Sequence, residues 1–161
     1  MQEQMDSIST VLDKLETSLD QLSTLTRGLD EGRLNSSAGN ETWSANDILA
    51  HLRACADVWG KSLAAMIIED HPTLRHVSPR SWIRRTNYPG LDFHPSLMSY
   101  ADQRRELLKS LRGLRTEDWS RGATFTATTR GRAETVLSYA QRIASHEAGH
   151  LHQMEVVLLR A

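Results

Sequence analysis

An all-α, four-helix bundle is the fold class this sequence predicts, and three observations predict it. Four segments carry apolar residues at steps of three and four, the period of an amphipathic helix. One long proline-bearing connection, residues 71–95, separates the second segment from the third. A single β-prone stretch, Ala123–Thr129, has no evident partner, so it reads as a loop with a short extended piece. Four amphipathic helices with one long connection are most economically packed as a bundle, and the 161 residues suffice for one domain spanning 1–161.

The first helix covers residues 1–27, where Met5, Ile8, Leu12, Leu15, Leu19 and Leu22 form a narrow seam and Gly28 is a natural stop. Residues 28–42, with Gly32, Asn35, Ser36, Ser37, Gly39 and Asn40, have loop composition. Ser44 and Asp47 then read as a capping box, with Trp43 and Ile48 in the hydrophobic-staple positions. The second helix runs from about Ala45 to Glu69, its apolar face made of Ile48, Leu52, Cys55, Trp59 and Met66. His51 stands at the margin of that face, either as a hydrogen-bonded boundary residue or as a metal ligand supplied to a facing helix.

The 71–95 connection carries Trp82, Tyr88 and Phe93, which suits a crossover docked on the bundle by its aromatics. Carrying the chain along the bundle's length, it lets helices two and three run parallel. Contacts to a substrate from Tyr88 and Arg84 or Arg85 are the alternative role. The third helix spans Ser96 to Leu114, with Leu97, Tyr100, Leu107, Leu111 and Leu114 inward and Arg104, Arg105, Lys109 and Arg112 on a solvated face. The fourth covers Arg132 to Arg160 without a proline.

Within that last helix His146-Glu147-Ala148-Gly149-His150 matches the H-E-x-x-H pattern, two imidazoles one turn apart that can share an ion. Each residue advances by about 100°, so the pair lies about 40° apart on one face, while His152 is about 200° from His150 and is not expected to be a ligand. Seven histidines in this length give roughly 0.3 such pairs by chance, so the spacing does not decide the matter. Position adds weight: Tyr139, Ile143 and Val157 share the face, placing the pair in the core-facing stripe, where a histidine must be hydrogen-bonded or bound. Glu147, about 100° away from His146, is expected at the surface, and Gln153 either lines a pocket or satisfies a buried polar contact.

Composition excludes several classes. A formal charge of −1 gives no basic face for nucleic acid. No apolar run approaches the ~18 residues of a membrane span, and the polar N-terminus does not read as a signal peptide. Cys55 is alone, so no intrachain disulfide forms and a cytoplasmic setting is expected.

Laid out this way, the chain resembles the DinB/YfiT-like superfamily of metal-dependent enzymes. Trp43-Ser44-Ala45-Asn46-Asp47-Ile48-Leu49-Ala50-His51-Leu52 is similar to the family's W-S-x-x-[DE]-[IVL]-L-x-H-L opening of helix two. His146 through Gln153 is similar to its H-[DE]-x-x-H-x-x-Q in helix four, and the order of elements matches over nearly the whole chain. Gly149 stands where the family often has a second histidine, and His152 where it often has glycine. The resemblance implies an up-down-down-up bundle and a divalent ion, zinc or nickel, held by His51, His146 and His150. It further implies a small-molecule substrate handled by transferase or isomerase chemistry with a low-molecular-weight thiol, in a homodimer. Three neutral imidazoles leave a position open on the ion, which also suits hydrolysis. The alternative is a non-catalytic, metal-stabilised, stress-associated binding or dimerisation module. Asp47 and Glu147 could orient ligands in either case.

Overall fold

The computed structural model, which describes residues 1–128 and 131–160, runs α1 (Gln2–Thr26), α2 (Glu31–Leu34), α3 (Ala45–Ile68), β1 (Thr73–Arg75), α4 (Pro79–Ile83), α5 (Phe93–Arg112), β2 (Gly122–Thr126), β3 (Arg132–Thr135) and α6 (Val136–Arg160). Short 3-10 turns at Tyr88–Gly90 and Thr116–Ser120 flank α5. The four long helices α1, α3, α5 and α6 form the bundle. Each of α1 and α3 packs against both α5 and α6. No helix among the described residues is long and apolar enough to cross a membrane.

The core divides into two clusters, and their membership fixes the helix directions. One joins Val11 and Leu15 from the first half of α1 to Leu63 and Met66 late in α3, Leu108 and Leu111 late in α5, and Val136 to Ile143 at the start of α6. The other joins Leu19 and Leu22 to Ile48 and Leu52, Phe93 and Tyr100, and Met154 and Leu158. Hence α1 and α6 run one way and α3 and α5 the other, an up-down-down-up bundle in which the crossover returns the chain between two parallel helices.

Local chemistry explains where the helices begin. The Ser44 hydroxyl accepts from the Asp47 N–H at 3.1 Å and the Asp47 carboxylate accepts from the Ser44 N–H at 2.9 Å, closing both halves of the capping box. α5 starts at Phe93 rather than Ser96 because its first N–H donates to the Glu31 carboxylate at 2.9 Å, and Pro95 sits in the first turn, where a missing N–H costs nothing. α6 starts at Val136 rather than Arg132: the Thr135 hydroxyl accepts from the Ser138 N–H at 3.1 Å, and the four residues before it are strand.

The expectation that Ala123–Thr129 is a partnerless loop with a short extended piece is corrected. β2 alternates buried Ala123 and Phe125 with outward Thr124 and Thr126, and it has partners on both sides. β1 pairs with it in parallel, Thr73 opposite Thr124, and β3 in antiparallel, Ala133 opposite Thr124. The first partner lies some fifty residues upstream, and the second takes four residues whose sequence suits the start of the last helix; Thr129 lies outside the described residues. This small sheet closes the end of the bundle at which α6 begins, the Phe125 ring stacked on Tyr139 with centroids 5.1 Å apart.

The crossover is clamped by one carboxylate. Asp57 on α3 accepts from Trp82 Nε1 at 3.0 Å, from the Tyr88 hydroxyl at 2.6 Å and from Gln103 Nε2 on α5 at 3.0 Å. The Arg53 guanidinium lies 3.9 Å over the Tyr88 ring. Tyr88 therefore docks the crossover.

Candidate metal centre

Two helices supply the site. The capping box sets the start of α3, so His51 falls in its second turn, facing α6; His146 and His150 are one turn apart on α6, facing back. His51 Nε2 lies 3.4 Å from His146 Nε2, and His146 Nε2 lies 3.1 Å from His150 Nε2. The three rings are thus brought together, with His146 Nε2 facing the Nε2 atoms of both others. His152 is not among them: its side chain is 79 % exposed, beside Glu155.

Such a cluster is frustrated as a set of hydrogen bonds. Each Nε2 carries either one hydrogen or one lone pair in the ring plane, so His146 Nε2 cannot bond well to both neighbours at once. A cation is what can satisfy them together. Ligands at ~2.0–2.1 Å around a tetrahedral ion stand about 3.3–3.4 Å apart, close to the separations found. The donor set therefore fits a divalent ion.

The surroundings orient the rings and keep His51 and His146 neutral. His150 Nδ1 is 2.8 Å from Gln153 Oε1, a contact in which Nδ1–H donates and the Nε2 lone pair is left facing His146. Trp43 stacks on His150 at 6.0 Å with 14° between planes and tilts against His51 at 5.1 Å. Trp59 meets His146 edge-on at 4.7 Å. Burial, with the neighbouring His150 charge next in weight, lowers both His51 and His146 to about 4, so their lone pairs are available at neutral pH. His146 Nδ1 is buried without a partner. Asp47 is engaged in the capping box, away from the rings.

Two features were not expected. Cys55, one turn after His51 on α3, places Sγ 3.4 Å from His51 Nε2; burial and then the Glu147 charge push its thiol up to about 12. Glu147 is not a surface residue but 4 % exposed, and Arg104, expected on the solvated face of α5, is 3 % exposed. The Arg104 guanidinium pairs with both Glu147 oxygens, one at 2.8 Å, and donates to Leu15 O at 3.0 Å, while the Tyr100 hydroxyl donates to Glu147 at 2.9 Å. A signal was present: Tyr100, Ala101, Arg104, Leu108 and Leu111 continue one stripe in steps of one, three and four, and Arg104 occupies a core slot in it.

A cleft of about 470 Å³ opens beside His146, lined by Trp59, Ser138, Tyr139, Arg142, Ser145 and His146. That volume is in the range of small-molecule sites.

Comparison with known proteins places these features. Residues 14–154 match the sequence profile of the DinB superfamily. No curated protein sequence matches the chain. Among solved structures the chain is similar to YfiT from Bacillus subtilis, described as a probable metal-dependent hydrolase with an unusual four-helix bundle topology. The TM-score is 0.78 at 16 % identity, over 91 % of this chain and 83 % of that one. At that identity the likeness is one of fold.

Proposed function

The chain belongs to the DinB superfamily, and from that membership and the three converging imidazoles we propose a metal-dependent enzyme that acts on a small molecule, with a low-molecular-weight thiol as co-substrate. His51, His146 and His150 would hold the ion, zinc or nickel, both of which imidazole suits. The observation that carries this reading is the pair of Nε2 separations, 3.4 and 3.1 Å, in a cluster that hydrogen bonds alone cannot satisfy.

An ion held by neutral imidazoles with a position open is a Lewis acid and lowers the pKa of a water or thiol that reaches it. The chain's own residues do the rest. Gln153 holds the His150 ring in the tautomer that presents Nε2. Trp43 and Trp59 wall the rings, lowering the local dielectric and raising the weight of every charge interaction there. The cleft beside His146 gives a substrate its approach, with Arg142 and Ser145 at its rim.

Hydrolysis is the second reading, favoured by the description of YfiT as a probable metal-dependent hydrolase. Element analysis of protein purified without added metal, then turnover assays with and without thiol, separates the two. Near-stoichiometric metal, lost in His51→Ala, His146→Ala and His150→Ala but kept in His152→Ala, is expected, with consumption of an electrophile only when thiol is present. Turnover without thiol would select hydrolysis. Metal unchanged in the first three variants would defeat both.

A further inference from the structure

We infer that Cys55 is a fourth protein donor to this ion, so that the resting centre is three imidazoles and one thiolate. The inference rests on the three-histidine reading above and adds a ligand from α3. His51 and Cys55 are four residues apart on α3, as His146 and His150 are on α6, so each helix offers the other two donors one turn apart. Sγ is 3.4 Å from His51 Nε2, and one donor atom each from His51, Cys55 and His146 lie within 4.8 Å of one another. Bonds of ~2.3 Å to sulfur and ~2.0–2.1 Å to nitrogen around a tetrahedral ion space the two atoms about 3.5 Å apart. His51 Nε2 faces Cys55 Sγ and His146 Nε2 together, and its single in-plane position cannot serve both; a shared ion can.

The sulfur is not placed as a core filler would be. Cys55 is 2 % exposed, yet Sγ sits against a ring nitrogen. A thiolate in the set favours zinc, copper(I) or nickel over magnesium or manganese. It also makes the resting centre four-coordinate from protein alone, and zinc centres admit a substrate by expanding to five.

Cobalt(II) is the probe, added to metal-stripped full-length chain with no thiol in the buffer. The chain contains one cysteine, so any thiolate-to-cobalt charge-transfer band in the near ultraviolet has one source. The expected result is visible ligand-field bands together with that charge-transfer band. Cys55→Ser should keep the first and lose the second, with cobalt affinity lower by about tenfold or more, since loss of even a supporting group costs that much. Should Cys55→Ser fail to fold, the wild-type spectrum decides by itself, with Cys55→Ala as a second variant. Ligand-field bands without charge transfer overturn the thiolate and leave the histidine centre standing. No cobalt bound overturns both.

Discussion

Gln153 is the residue whose side chain decides how His150 presents itself. Its Oε1 holds Nδ1 at 2.8 Å and turns Nε2 toward the cluster. Gln153→Leu should weaken metal affinity by about 10–100-fold while leaving the metal-free fold intact, measured by titration with a competing chelator. An unchanged affinity would show that Trp43 alone orients the ring. The pH dependence of the metal-free protein follows from His51 and His146, which burial holds near 4 against 6.5 for the free side chain. Between those values the unfolded state binds protons that the folded state does not, so stability is full above about pH 6.5 and falls as pH drops toward 4. The loss is bounded at about 3 kcal/mol per ring by the free-energy equivalent of the shift. Urea unfolding of chelator-treated protein at about pH 7.5 and about pH 5 measures it, and a stability that rises on acidification would contradict the burial of the rings. The one-turn spacing of His146 and His150 was legible on a single helix, whereas His51, 95 residues away, joined them only through the family resemblance. In sequence Cys55 is one more apolar position, because a thiol on a helix face looks the same whether it meets a leucine or an imidazole.

At the level of elements, α5 and α6 stand across the bundle from each other yet are joined through its interior by Arg104 and Glu147. This pair, with Cys55 and the histidines, forms a polar layer between the two apolar clusters, and the Tyr100 hydroxyl reaches it from the second. Removing one partner strands a buried charge, so Arg104→Leu or Glu147→Leu should each cost about 3–5 kcal/mol, whereas the double variant should recover much of the loss. Equilibrium unfolding of the four proteins gives the cycle; single variants costing under about 1 kcal/mol would mean that water reaches the pair. The start of α3 depends on a smaller contribution: Ser44→Ala should lower stability by about 1 kcal/mol, and through the entry angle of α3 it should also loosen Trp43 over His51. Tryptophan fluorescence, followed beside the melt and compared with a Trp43→Phe control because the chain has four tryptophans, would register that movement. The capping box was legible because its members are three residues apart. The Arg104–Glu147 pair spans 43 residues, and each helix read alone put its charge at the surface.

For the whole molecule, the histidine cluster joins α3 to α6, two antiparallel neighbours that also meet through a Ser62–Tyr139 hydrogen bond. An ion bound only by the folded state stabilises it by about 2.7 kcal/mol at a hundredfold excess over Kd. At about 2–4 °C per kcal/mol for a chain of this size, chelation should lower Tm by about 5–11 °C. His51→Ala should abolish that sensitivity, and a wild-type Tm indifferent to chelator would speak against any resident ion. The crossover matters at this scale too: Asp57 gathers Trp82, Tyr88 and Gln103 onto α3, which fixes α5 parallel to it and so places Tyr100 and Arg104 beneath the histidines.

Helix number, the capping box, the crossover between parallel helices and the one-turn spacing of His146 and His150 followed from the sequence alone. Each is written within a few turns, in periodicity and in residue spacing, and helical geometry turns spacing into a face. The pairing of β2 with β1 and β3, the burial of Glu147 against Arg104, the grip of Gln153 on His150 and the approach of Cys55 to His51 were decided only by the tertiary structure. All but the Gln153 contact and the Cys55 approach join residues distant in sequence. Those two are one turn apart, but they acquire meaning only when the facing helix brings imidazoles within reach.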